Sequence, residues 1–475
     1  MLLAGLATLA VGEIGLAGAA AGSRTLSLSP ALVAVAVLAA VLLGAAALLL
    51  VRKPDLVTPL VLVAAPFRLP LDFGRDHRFF VGIARSGELG RLLPLYVVLA
   101  AAIAALAWRT LARTPVTPVP RIVAAPAAAF VGFAALSLLW SDDLTAGRGL
   151  LEFFLLPLAA LVAVVSRASF PPWLPRALAV IAVCLASLFA TLALWQAATH
   201  KLLFYAPTLQ VANVYAPYFR VTSLFRDPSL YGRHVVLGLV ILVVLLWRRR
   251  LALLPAALLI GLLWLGLLFS YSQSSFAALF VAALAVTLVA ADRRARRIVA
   301  IGGAAIVVAG ASVTVVTAVH HSSRAVTSDR SRRIALTARV WEHHPIVGVG
   351  LGGQPAASQA LSDRRGALPR FVSHTTPLTV LSELGVIGFA LYVLFLTAAA
   401  RLLLAVYRRD PDLSLTLGGV LLALFVHSLS YSGFFEDPIT WFTIGVGASA
   451  LTATRAPEPQ PSTARIQERE PVGAA

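Results

Sequence analysis

The sequence predicts an all-α polytopic integral membrane protein of about 12–14 transmembrane helices, with one large outer-face loop containing short amphipathic helices. Three observations predict this fold. Hydrophobic side chains make up 59% of the chain and charged ones 13%, with a mean hydropathy of +0.87. No water-facing surface of ordinary polarity can be built from that composition. Apolar runs of about 20 residues, the length that crosses a hydrocarbon core as a helix, recur from end to end. Short arginine clusters separate them with a regular parity.

Taken in order, the spans fall roughly at 3–22, 31–51, 55–67, 92–108, 121–140, 149–166, 173–198, 230–247, 251–269, 274–291, 298–319, 377–400, 413–433 and 438–453. The third is short for a full crossing. Residues 1–22 lack the basic segment of a signal peptide and read as the first span, with Glu13 facing a neighbouring helix. Arg248–Arg250, the Asp292–Arg297 cluster and Arg401 with Arg408 and Arg409 are each two spans apart and so share a side. Arg109, Arg113, Arg121, Arg167 and Arg176 fall on the same side. The positive-inside rule makes that side cytoplasmic and puts both termini there. Residues 1–453 form the membrane domain, with 320–376 as its large extracytoplasmic loop. The tail 454–475, broken by Pro457, Pro459 and Pro461, reads as disordered and cytoplasmic.

The net charge is +18, and all but Lys53 and Lys201 of the 39 basic residues are arginine. Biased composition accounts for that ratio; arginine forks also grip phosphate oxygens in pairs where lysine offers a point charge. The basic residues form no continuous soluble face, so nucleic acid is not an expected partner. The single Cys184 excludes an internal disulfide and a cysteine-built metal site.

Polar chemistry gathers on the outer side. Loop 320–376 holds eight arginines against three acids, +5 on the face where basic residues are topologically disfavoured. Long loops translocate regardless of charge, but an anionic ligand at the outer face also accounts for the excess. His374 stands where this loop meets an apolar span. It reads either as an interfacial polar residue or as a proton-transfer group. Arg332, Arg333 and Arg339 fall on an amphipathic helix with Ile334, Ala338 and Trp341 on one face, suited to lie on the membrane. His343 and His344 point apart on a helix and have no carboxylate partner at i+4, so no metal site is expected. Glu383, inside a span, is a packing residue or an alternative base; Glu436 is another candidate base. The Gly348–Gly353 run follows no strand and opens no βαβ unit, which removes a dinucleotide site and leaves a tight turn.

Several short signatures follow one another along the chain. Phe219-Arg220-Val221-Thr222-Ser223-Leu224-Phe225 runs into Asp227-Pro228-Ser229-Leu230-Tyr231-Gly232. Ser270-Tyr271-Ser272-Gln273-Ser274-Ser275 opens a later span. Trp341-Glu342-His343-His344-Pro345 leads into the glycine-rich turn, and Ser373-His374-Thr375-Thr376 precedes Glu383, Gly385 and Gly388. Trp140-Ser141-Asp142-Asp143 with Arg148 lies earlier. In order and sidedness this set, over roughly 130–450, resembles the O-antigen ligase and polysaccharide polymerase superfamily of bacterial membrane glycosyltransferases. The resemblance implies glycan transfer from a polyprenyl-diphosphate carrier to a glycan, lipid or protein acceptor at the outer face of the cytoplasmic membrane, with membrane lipids around it and without cofactor, metal or nucleotide. It implies a catalytic role for His374 and phosphate binding by Arg220, with Arg226, Arg332 and Arg339 as further candidates. Where many members have Ser-Arg, this chain has Ser272-Gln273, so one diphosphate contact is either missing or supplied by Arg226 or another arginine, with Gln273 kept as a substrate-binding candidate at that position. Chemistry agrees in outline. Diphosphate leaves readily but its charge needs preorganised arginines, while the attacking hydroxyl needs a base. A secondary transporter or flippase of an anionic or lipid-linked solute is the competing reading. It calls for internal repeats and mid-membrane polar breaks, and no clear repeat is visible.

Overall fold

The computed structural model describes residues 30–69, 71–73, 79–81, 91–204, 206–320, 330–362, 371–431 and 433–453. Apart from a hairpin of two three-residue antiparallel strands, β1 (Leu71–Phe73) and β2 (Phe79–Val81), the described chain is helical. The helices are α1 (Pro30–Arg52), α2 (Val57–Ala64), α3 (Leu93–Leu111), α4 (Arg121–Leu136), α5 (Leu144–Leu150), α6 (Leu156–Val165), α7 (Leu174–Thr199), α8 (Pro207–Tyr215) and α9 (Pro228–Trp247). They continue with α10 (Leu253–Leu268), α11 (Gln273–Ala290), α12 (Arg293–His320), α13 (Arg330–His343), α14 (Gln354–Ala360), α15 (Thr376–Tyr407), α16 (Pro411–Ser428) and α17 (Pro438–Ala453).

Among the described residues eight helical segments are long and apolar enough to cross a membrane, or nine counting the bent pair α1–α2. The chain is a multi-pass membrane protein. Every expected span from 31 to 453 falls on a helix; span 3–22 and tail 454–475 lie outside the described residues. α10 and α17, at 16 residues each, fall just short of the length of those eight segments. The expected crossing at 55–67 is not a separate one. Pro54 follows α1, the axis turns by 110°, and α2 has only eight residues, about 12 Å of helix.

Two local features follow from proline chemistry. Pro157 has no N–H to give the carbonyl of Phe153, four residues earlier, and Leu151–Leu155 widens into a π-turn. The Tyr96 hydroxyl, on α3, donates to that carbonyl instead. α9 and α17 each begin with Asp-Pro. The Asp227 carboxylate accepts the N–H groups of Ser229 and Leu230 at 2.7 and 3.1 Å, and Asp437 accepts that of Ile439 at 2.7 Å.

These two helices are the most enclosed of the bundle. Arg233 of α9 reaches Asp437 at 2.5 Å, and both side chains are buried. Burial alone would raise the Asp437 carboxyl, but Arg233, His234 and Arg68 outweigh it and hold it below the usual carboxylate range.

The two ends of the bundle differ. At the far end of α9, Arg248 and Arg250 both donate to Asp412 in the first turn of α16, the latter at 2.8 Å. Arg248, Arg250 and Arg409 line one polar cavity of about 470 Å³ with Asp410 and Asp412. Two of the arginine clusters expected to share a side therefore meet there. The beginnings of α9, α11, α15 and α17, and the end of α16, lie at the other end, where the loops interlock.

Candidate active site

α13 is amphipathic, and its packed face is not the expected one. Leu336, Thr337 and Val340 are buried, spaced with Arg333 at i, i+3, i+4 and i+7. Ile334 is 43% exposed. The helix therefore leans this face on α14 and α15, while the face with Ile334, Ala338 and Trp341 is the less enclosed one. That rotation turns Arg333 inward and leaves Arg332 and Arg339 together on another flank.

Gln354, fully buried at the start of α14, ties three segments together. Its Nε2 donates to Thr337 Oγ1 at 3.2 Å and to Ser358 Oγ at 2.7 Å, and its Oε1 accepts the Ser373 N–H at 3.0 Å. The extended segment before α15 is thereby fixed against α13, and His374 follows directly. Arg333 Nη1 lies 2.7 Å from His374 Nε2. A guanidinium can only donate, so Nε2 is the acceptor and the ring is held without a proton on that nitrogen. Burial, then Arg333 and Arg330, push the imidazole pKa down; Asp227 opposes them weakly. The Arg333 guanidinium also lies over the Phe371 ring at 5.3 Å, while its buried Nε–H has no hydrogen-bond partner among the described residues.

On the other side of His374 stands Tyr431, ring centroids 6.4 Å apart. The Tyr431 phenol is raised by burial and by Asp227, with which it hydrogen-bonds, so it stays a donor. Behind it His427 follows at 5.4 Å, then Ser274 at 3.2 Å from His427 Nε2, Ser272 at 3.1 Å from Ser274, and Ser270, whose Oγ accepts the Ser272 N–H at 3.2 Å. Arg220 closes this run of contacts, donating from Nε to the Ser270 carbonyl at 3.2 Å. Asn213 of α8 pins the Arg220 backbone in both directions, at 3.0 Å each. With Nε engaged, the two terminal NH₂ groups of the fork carry its remaining donors.

The glycine-rich turn has a specific seat. α15 is interrupted at Gly385, with φ +62° and ψ −167°, a conformation open to glycine. Its freed backbone groups pair with the turn. Val349 and Gly350 N–H donate to the Ser382 and Glu383 carbonyls at 3.1 and 2.8 Å, and Val386 N–H donates to Pro345 O at 2.9 Å. The Gly350 backbone also abuts Ser141 so closely that a β-carbon there would lie 2.4 Å from its Cα. Ser141 Oγ donates to Leu351 O at 2.8 Å and Asp142 N–H to Val349 O at 3.0 Å. The Trp140–Asp143 motif is thus a buttress for the turn.

The structure joins Arg220, the Ser270–Ser275 run and His374 through direct contacts. Gln273 is exposed at the start of α11, Arg226 is exposed, and Arg332 and Arg339 face away from His374. Glu383 and Glu436 sit together on a separate cavity of about 420 Å³ that Arg91 also lines. Glu383 takes backbone N–H groups of Gly352 and Gln354. Arg364, Arg365 and Arg370 lie outside the described residues. Sequence reasoning did not single out Arg333 from its neighbours, nor find Gln354, Tyr431, His427 or the Arg233–Asp437 pair. The helical register of Leu336, Thr337 and Val340 carries the signal for Arg333.

Fold and geometry together describe a multi-pass membrane protein with His374, Arg333, Tyr431 and Arg220 at one end of the bundle. Residues 258–393 match the family described as O-antigen ligase (Wzy_C), so this stretch is similar to that family, which supports ligase-type glycosyl transfer in general. The matched stretch runs from α10 into α15 and takes in Gln273, Arg333, Gln354, His374 and Glu383; Arg220 precedes it. No curated protein matches the chain.

Proposed function

We propose that this protein transfers a glycan from a polyprenyl-diphosphate carrier to the hydroxyl of a glycan, lipid or protein acceptor, as a ligase or polymerase, at the outer face of the bacterial cytoplasmic membrane. The observation that carries the reading is the Arg333–His374 contact, an arginine donating to the one ring nitrogen a base would use. Empty, the pair holds His374 neutral and its Nε2 occupied. An arriving diphosphate is the better acceptor for a guanidinium, so Arg333 turns to it and frees Nε2. Its charge is then compensated by the anion, and the imidazole becomes the stronger base.

Nε2 takes the proton of the acceptor hydroxyl as that oxygen attacks the sugar C1. The C1–O bond to the diphosphate breaks, and its electron pair leaves on the phosphate oxygen, neutralised by Arg220 and Arg333. Attack opposite the leaving group inverts the anomeric centre. The Tyr431 hydroxyl, kept protonated, is a donor beside the ring. No step calls for a metal, and among the described residues no three His, Cys, Asp or Glu side chains form a group that could hold one.

The expected test uses the protein in nanodiscs with polyprenyl-diphosphate oligosaccharide and a panel of glycan, lipid and peptide acceptors. Donor consumption with a new glycosidic bond, in EDTA and without nucleotide, is the expected result. A donor that stays intact with every acceptor, and in water alone, sinks the reading. The sidedness belongs to the same proposal: arginine clusters and C-terminus cytoplasmic, 320–376 outside, 1–453 one membrane domain and 454–475 a tail; with α1–α2 taken as one crossing, the parity that put both termini on one side no longer holds. With Cys184 replaced by alanine, an impermeant thiol reagent should label Ala356→Cys and not Ala295→Cys in intact cells. The reverse pattern favours the transporter.

A further inference from the structure

We propose that the cavity beside the first two turns of α15 is a sugar subsite, and that it receives the acceptor: one or two pyranose rings of an uncharged glycan. Only the word acceptor rests on the glycosyl-transfer reading; the sugar binding stands on the cavity itself.

The cavity, about 420 Å³, lies within the range of roughly 300–1,000 Å³ of small-molecule sites. It opens between α15, the 351–355 turn, the α5–α6 junction and the 433–436 segment. Thr376, the first residue of α15 and two residues from His374, lines it. That side chain is only 6% exposed, and its hydroxyl has no hydrogen-bond partner among the described residues. A buried hydroxyl left so is destabilising, and a ligand hydroxyl removes that cost. Thr379, Glu383, Glu436 and Arg91 add acceptors and donors around it, and Phe154 and Phe435 form apolar walls.

That mixture selects a chemical class. An acyl or polyprenyl chain would strip water from two carboxyl groups and a guanidinium and offer no hydrogen bond in return. A diphosphate would find a single arginine beside the carboxyl groups of Glu383 and Glu436, too few donors to neutralise it. A pyranose presents apolar C–H faces for the phenyl rings. Its edge hydroxyls donate to the carboxyl oxygens and to Thr379 Oγ1, whose own proton goes to Thr375 O, and accept from Arg91 and Thr376. With a single guanidinium, this wall leaves the diphosphate, and the ring it carries, to the arginine side of His374. The ring entering from this cavity is therefore the one that brings the attacking hydroxyl.

The test uses the full chain in nanodiscs and saturation-transfer NMR with methyl pyranosides of glucose, galactose, mannose, rhamnose and N-acetylglucosamine. At least one should receive saturation. Ala146 stands exposed at the cavity rim, so Ala146→Trp blocks the mouth without burdening the core, and it should reduce the signal at least tenfold. Thr376→Val should cut it severalfold and Thr376→Ser restore it. Should Ala146→Trp lose its thermal transition, the Thr376 pair decides. No signal from any pyranoside with the unaltered protein, or a signal indifferent to these changes, overturns the site. In the transfer assay Thr376→Val should raise the acceptor KM about tenfold and leave the donor KM alone; a rise in the donor KM overturns the acceptor assignment. Pyranoside binding without any donor turnover would remove the transferase reading, and the word acceptor with it, and leave the sugar site standing.

Discussion

Arg233 donates to Asp437 at 2.5 Å with both side chains buried, whereas Arg333 donates to a neutral imidazole at 2.7 Å; each keeps a buried Nε–H without a hydrogen-bond partner among the described residues. In the first pair a full negative charge answers the arginine. In the second no carboxylate among the described residues does, and a stronger acceptor can displace the weaker one. Arg248 and Arg250, both on Asp412, repeat the first case at the opposite end of the bundle. An arginine count along a loop therefore says less than the partner each arginine has. In loop 320–376 the arginine to follow is Arg333, whose guanidinium donates to a histidine.

The comparison can be broken most severely at His374. His374→Ala should lower transfer by about 10²–10⁴-fold while the protein still extracts and melts as before. Unchanged turnover would strip the Arg333 contact of meaning. Asp437→Asn should instead cost stability, about 3–5 kcal/mol, because it leaves Arg233 charged and buried without its counter-ion. Thermal unfolding in detergent reads this, and an unaltered transition would show the pair to be incidental. Since the folded Asp437 carboxyl is depressed, its contribution is fully present above the unfolded value near pH 4. It should fade as pH falls through the lower folded value.

Arg220→Lys keeps the charge and loses the fork. It should weaken donor use by the equivalent of one charge-assisted hydrogen bond, about 1.5–3 kcal/mol or roughly tenfold and more, read as a higher donor KM. Wild-type kinetics would leave Arg220 a purely structural donor to Ser270. The smallest expected effect sharpens the pair itself. Removing the charge in Arg333→Gln should let the His374 pKa rise, so the acidic limb of the rate profile moves to higher pH. A limb that stays put, or moves down, would mean that Arg333 does not set the base.

The spans were legible because a 20-residue apolar run has one solution in a bilayer. What proved illegible was long-range. α1 and α2 read as two crossings because the sequence carries Pro54 but not the bend angle. Gly385 was legible only as part of the Glu383, Gly385 and Gly388 signature, since its break depends on pairing with residues 345–350 from the preceding loop. Arg332, Arg333 and Arg339 could not be ranked until the packed side of α13 was known. Glu383 and Glu436, read as separate candidate bases, share a cavity because 433–436 folds back against α15. His374 and Arg220 were legible as residues; the serine, histidine and tyrosine contacts between them were not.

The seat of the glycine turn also bears on how the protein is made. Its backbone partners, Ser382 to Ile387, are synthesised after it, while its buttress at 137–143 is synthesised long before. On the proposed sidedness, the turn must be carried across the membrane and wait there until α15 has been threaded in with its break at Gly385. A ribosome halted after α12 would leave a chain with most helices inserted and no seat for residues 345–350. Assembly of the catalytic face is thus a late event in biogenesis, and lesions at Gly385 should yield protein that inserts in full yet never acquires a site.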